Sequence, residues 1–146
     1  MTLENLLKVQ RLQALKPDRL EIQRLLEAAQ RNLNDSRVEA VSDENRFDAA
    51  YKCIMQSAMA ALRAEGYRPS TNQPGHHQTV IQALPLTIGL DNKTMVLLDS
   101  LRKQRNVSDY SGDPVSPEAV RACCREAESL LEGVLAWLGA KHPDLS

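Results

Sequence analysis

The run Ser42-Asp-Glu-Asn-Arg-Phe-Asp-Ala-Ala-Tyr-Lys-Cys-Ile-Met-Gln-Ser-Ala-Met-Ala-Ala-Leu-Arg-Ala-Glu-Gly66 decides how this chain folds. Phe47, Ala50, Tyr51, Ile54, Met55, Ala58, Ala61 and Leu62 recur at the spacing of one helix face. Ser42 is placed to cap the first free amides, and Asp43 and Glu44 set negative charge at the positive end of the helix dipole. Gly66 supplies the residue on which helices commonly end. Ala50, Ala58 and Ala61 on the buried side let another helix approach closely.

Working outward, residues 67–75 hold Pro69, Pro74, Ser70, Thr71 and Asn72 and read as a long loop. His76 to Ala83 reads as a short helix that Pro85 ends, and Gly89 with Asp91 or Asn92 marks a further break. A long helix follows over about 92–110, with Met95, Leu97, Leu98 and Leu101 inside; Ser111 to Pro114 cannot continue it. Ser116 caps a last helix, with Pro117 at its first position and Glu118 next. Val120, Cys123, Cys124, Ala127, Leu130, Leu131, Val134, Trp137 and Leu138 give that helix a wide apolar face up to Lys141 and Pro143.

Upstream, residues 2–15 place Leu3, Leu6, Leu7, Leu12 and Leu15 near one face of a short amphipathic helix stopped by Pro17. Asp18 caps a second helix to about Asn34, carrying Ile22, Leu25, Leu26, Ala29 and Leu33, and residues 34–41 read as a loop. No stretch alternates with period two. The expectation is an all-α, antiparallel up-and-down bundle of four main helices plus short extra helices. It forms a single domain over 1–146, with the extra N-terminal helix in 1–16 and the bundle in 18–142.

With 18 Lys+Arg against 19 Asp+Glu, the net charge of -1 creates no whole-molecule field for nucleic acid or anionic lipid, so any polyanion site must be a local patch. Cys53, Cys123 and Cys124 are odd in number and lack C-x-x-C spacing, which argues against a disulfide framework or a zinc site. Cys123-Cys124 reads as core. Charges at Glu4, Lys8 and Arg11 interrupt any leader, and no window approaches a membrane span, so a cytoplasmic protein without metal or cofactor is expected. Aromatic residues make up only 3% of the chain, too few for a base-stacking platform.

One helix face ends unusually. Leu98, Arg102, Arg105 and Asp109 fall on one stripe of the 92–110 helix, so an apolar face ends in two guanidinium groups and a carboxylate. Arg105-Asn106-Val107-Ser108-Asp109-Tyr110, near the end of the penultimate long helix, resembles the signature of HEPN domains, an Arg followed four to six residues later by His, often with Asn directly after the Arg. Arg105 and Asn106 match, and Tyr110 stands where many members carry the histidine. The resemblance implies a homodimer of helical bundles whose motif helices meet across the interface. It also implies one of three roles: a metal-independent ribonuclease, often a toxin of a toxin–antitoxin or defence system; a non-catalytic binder of RNA or a nucleotide; or a partner of a small nucleotidyltransferase.

Metal-independent RNA cleavage needs a base near neutral pKa for the 2′-hydroxyl and a cation for the phosphorane. A phenol near ~10 suits the first task poorly, whereas Arg105 suits the second, so phosphate binding survives the substitution better than catalysis does. Arg105 and Tyr110 lie about 140° apart on an ideal helix and converge only if the helix unwinds or two copies combine. Against a ligand-facing role stand bland fates for each residue. Arg105 and Asp109 are spaced for an i,i+4 ion pair, Asn106 for local capping, and Tyr110 for a half-buried ring with its hydroxyl at the rim. Arg102 and Lys103 read as a solvated face, or as a basic rim. His76 and His77 read as a helix start with one ring packed and one wet; the alternative is that the bundle brings one of them to Arg105 as the missing base. The ligand-binding candidates are therefore Arg102, Arg105, Asn106, Asp109, His76 and His77, with Arg105 and Tyr110 as the catalytic pair.

Overall fold

The structure is a computed structural model and describes residues 1–72 and 74–146; position 73 of the expected 67–75 loop lies outside the described residues. Its elements are α1 (Leu3–Lys8), β1 (Leu12–Ala14), α2 (Arg19–Ser36), α3 (Asp43–Ala64), β2 (Tyr67–Pro69), α4 (His76–Gln82), α5 (Leu84–Thr87), α6 (Asn92–Ser111) and α7 (Pro117–Lys141). The chain is mainly an all-α helical bundle, and the caps read from sequence hold. The side chains of Asp18, Ser42 and Ser116 accept backbone hydrogen bonds at the starts of α2, α3 and α7, and Asp91, read only as a break, does the same at the start of α6. Gly66 follows α3 with φ +91°, the left-handed geometry that an L side chain resists.

The long helix α3 is central, packing against α2, α7, α4 and α6. Phe47, Ala50, Ile54, Ala58, Ala61 and Leu62 are all at most 1% exposed, and the alanines let α2 and α7 close on it. Helix directions follow from cross-helix contacts. Phe47 meets Cys123, Cys53 meets Ala127, and Glu65 meets Lys141, so α3 and α7 run parallel. Ser36 meets Cys124 while Gln23 reaches Leu145, so α2 runs against α7. The start of α6, at Thr94 and Leu98, faces Leu130 and Gly133 of α7, and its end, at Arg105, reaches Asp48 near the start of α3. This is the up-and-down order, with the last residues drawn back onto α2 through Leu145 and Ser146.

Several expectations are corrected. The helix expected over 2–15 stops at Lys8, and Leu12–Ala14 pairs antiparallel with Tyr67–Pro69, Leu12 opposite Pro69. Three-residue strands are too short for period-two alternation to register in sequence, so the expectation of no strand and of a loop from Tyr67 fails there. Helix α2 runs two residues past Asn34. The short helix read over His76 to Ala83 does end before Pro85, at Gln82; what the reading lacked is a further short helix, α5, whose first turn holds Pro85, where its missing N–H has no partner to lose. Leu97, expected inside α6, is 39% exposed.

Arg63 anchors the N-terminal segment. Its side chain is 2% exposed, with Nε donating to Glu21 Oε1 at 2.8 Å, Nη1 to the Leu15 carbonyl at 3.0 Å and Nη2 to that of Lys16 at 2.9 Å. A buried guanidinium is tolerated because its donors are met and its charge is paired. Among the described residues, no helix is long and apolar enough to cross a membrane.

Candidate functional site

The motif arginine lies where α3, α4 and α6 converge. Arg105 Nε lies 3.2 Å from Asp48 Oδ1 of α3 and 3.2 Å from Asp109 Oδ2 one turn along α6. The i,i+4 pair read from spacing therefore forms, and the fold adds a second carboxylate. Both acids engage the Nε edge. Among the described residues, neither terminal amino group of Arg105 makes a hydrogen bond to protein, and the side chain is 27% exposed. The guanidinium also lies over the ring of Tyr51, 5.3 Å from its centroid, a cation–π contact that fixes the plane of the fork.

Tyr51 joins this arginine to a histidine. Its hydroxyl lies 3.1 Å from His77 Nδ1, on the first turn of α4. Burial pushes the Tyr51 phenol up to about 12, with Arg105 and Arg102 opposing. The same burial lowers His77 below the usual imidazole value, helped by His76, Arg105 and Arg102. His77 is thus biased toward neutral imidazole. With Nδ1–H donated to the phenol oxygen, its Nε2 lone pair is free to accept a proton; the opposite tautomer makes Nε2 a donor. His76 is exposed and meets His77 edge-on at 4.7 Å between ring centroids. The reading of one packed and one wet ring is therefore what is observed, with the packed ring beside the motif arginine.

Other candidates fall elsewhere. Tyr110, expected half-buried, is 91% exposed. Helix α6 stays regular to Ser111 and ends at Gly112, φ +72°, so there is no unwinding to bring Tyr110 round to Arg105 within one chain. Arg102 does not form a solvated face. It donates from Nε to Asp99 Oδ1 at 2.8 Å, and both side chains are 14% exposed, while Lys103 is open at 67%. Asn106, half-buried, makes no side-chain hydrogen bond among the described residues, so the expected local capping is not formed. Cys53 and Cys123 are buried core thiols, Cys124 half-buried. Burial raises Cys53 to about 11 and pushes Cys123 higher, so both are poor nucleophiles. No group of metal-ligating side chains occurs among the described residues.

Two site residues escaped the sequence reading. Tyr51 was assigned only to the core face of α3, and Asp48 had no role. The available signal was chemical: a tyrosine on a buried stripe needs a partner for its hydroxyl, and Asp48 lies on α3 one turn before it. Beside Arg105 a cleft of about 210 Å³ is lined by Asp48, Ser108, Asp109, Asn45 and Val115. No protein-family model matches this chain, nor does any curated protein or solved structure.

Proposed function

We propose that this protein is a HEPN-like binder of RNA or a nucleotide, with Arg105 as its phosphate ligand. The observation that carries the reading is the state of the guanidinium. Asp48 and Asp109 hold its Nε edge and Tyr51 holds its face, leaving the terminal amino groups without a protein acceptor at a cleft. An oriented fork of this kind suits bidentate contact with phosphate. The two carboxylates weaken the local positive potential, so affinity depends on geometry more than on bulk charge. Two copies meet through α6 in this reading, because Val96, Val107 and Tyr110 form an outward stripe 61%, 57% and 91% exposed.

The test is fluorescence anisotropy with labelled RNA and with nucleotides in EDTA. Arg105→Ala lowers affinity by about tenfold or more, the loss of a charge-assisted pair. An unchanged affinity removes the reading and leaves the motif as scaffold; a protein that binds no RNA or nucleotide favours a helical module that docks a partner such as a nucleotidyltransferase.

A second reading, a metal-independent ribonuclease, is favoured by one observation: His77, not Tyr110, stands next to the Tyr51–Arg105 pair. In that reaction His77 Nε2 takes the 2′-hydroxyl proton, the 2′-oxygen attacks phosphorus with Arg105 stabilising the equatorial oxygens, and the P–O5′ bond breaks to leave a 2′,3′-cyclic phosphate and a 5′-oxygen that takes a proton from water.

A further inference from the structure

The Arg105 cleft does not end at Arg105. Asn45 and Asp48 also line a neighbouring cleft of about 340 Å³, bounded by Asn32, Val38, Val41 and Ala49. That cleft shares Asn32, Asp35 and Lys52 with a third, of about 570 Å³, that reaches Arg31 and Gln56. From Asn45 to Gln56 the trench follows α3 for about 16 Å. Its lining alternates in kind. Val38 and Val41 are 46% and 38% exposed and present an apolar wall. Carboxamides line the same cleft: Asn32 donates from Nδ2 to Gln56 Oε1 at 2.8 Å, leaving its own Oδ1 without a protein hydrogen bond among the described residues, as is the Asn45 side chain.

A nucleobase has apolar faces and a hydrogen-bonding edge, and this cleft offers a surface for each; a carboxamide pairs best with the donor–acceptor edge of adenine. Charge along the trench is nearly balanced. Asp48 is already paired with Arg105 and Lys52, Asp35 faces the same cleft as Arg31, and Glu44 and Asp109 flank the Arg105 end. Such a trench selects by base contacts and not by bulk attraction. We infer that the ligand of the Arg105 site is a single-stranded RNA segment longer than one nucleotide, with an adenine base seated between Val38, Val41 and the amides of Asn32 and Asn45. This inference rests on the reading of Arg105 as a phosphate ligand.

The experiment compares a short fluorescein-labelled oligoadenylate RNA with oligouridylate of the same length in EDTA. Wild-type protein binds oligoadenylate about tenfold more tightly than oligouridylate, the usual worth of one good base contact. The double variant Asn32→Ala, Asn45→Ala reduces oligoadenylate affinity to the oligouridylate level and leaves oligouridylate binding unchanged. The near-isosteric Asn32→Asp also weakens the oligonucleotide while keeping the wild-type melting temperature, which separates recognition from folding. Equal binding of oligoadenylate and oligouridylate, or full oligoadenylate affinity in both variants, overturns the inference. If Arg105→Ala binds the oligonucleotide undiminished while the amide variants lose it, the trench stands and the Arg105 reading falls. If neither probe binds wild-type protein, both fall.

Discussion

Arg105 of α6 lies over the ring of Tyr51 of α3, guanidinium carbon 5.3 Å from the centroid. This contact ties the last turns of α6 to the central helix, and the Tyr51 hydroxyl continues it to His77 of α4. Tyr51→Phe keeps the ring under Arg105 and removes only the hydroxyl. Its expected cost is about 1 kcal/mol in urea denaturation, one partly buried hydrogen bond. Tyr51→Ala also removes the platform and a large core side chain, costing about 3–5 kcal/mol.

Stability should depend on pH through His77. Its folded pKa is lowered by burial and by His76, Arg105 and Arg102, with the neutral Tyr51 phenol on its Nδ1. The unfolded chain, with imidazole near ~6.5, therefore takes up the proton first on acidification. Stability from this group is fully present above ~6.5 and is lost as pH falls through the lower folded value. Urea denaturation between neutral and mildly acidic pH should show this loss in wild-type protein and a flatter profile in His77→Gln.

Arg63→Met leaves the hydrogen-bonding carbonyls of Leu15 and Lys16 without their donor and Glu21 without its cation. Removing one member of a buried charged network costs about 3–5 kcal/mol. Glu21→Gln should cost less, because the Glu21 side chain is 43% exposed and water replaces part of the interaction. Chemical denaturation of the two variants checks the order.

If the protein cleaves RNA in EDTA, His77→Ala and Arg105→Ala should each abolish the activity while Tyr110→Phe retains it. The reverse pattern would return Tyr110 to the catalytic pair and require a second copy to deliver it, since α6 is regular between the two residues.

The outward stripe of α6 has its own test. Val107→Asp should convert the proposed dimer to a monomer by light scattering at tens of micromolar. A wild-type protein that is already monomeric there removes the dimer, and with it any site shared between copies.

What could be read from the residues alone followed from local physics. The caps at Asp18, Ser42 and Ser116, the terminating Gly66 and the faces of α3 and α7 are short-range signals, and the helices stand where they predict. The Arg105–Asp109 pair was equally local, fixed by one helical turn. Signals that depend on a distant partner were lost. The Leu12–Ala14 strand exists because Tyr67–Pro69 lies beside it, and the short helix α5 packs against α3. Arg63 is buried because the Leu15 and Lys16 carbonyls and the Glu21 carboxylate, all distant in sequence, meet it.

The site divides in the same way. Sequence supplied Arg105 and its motif neighbours, and left His77 as one of two adjacent rings with no means of choosing between them. Only the packing of α4 and α6 with α3 put the His77 ring on the Tyr51 hydroxyl, set Asp48 on Arg105 and left Tyr110 out in solvent. Helix caps and periodic faces are set by residues a turn or two apart, whereas a side chain's partner on another helix is set by how whole helices cross.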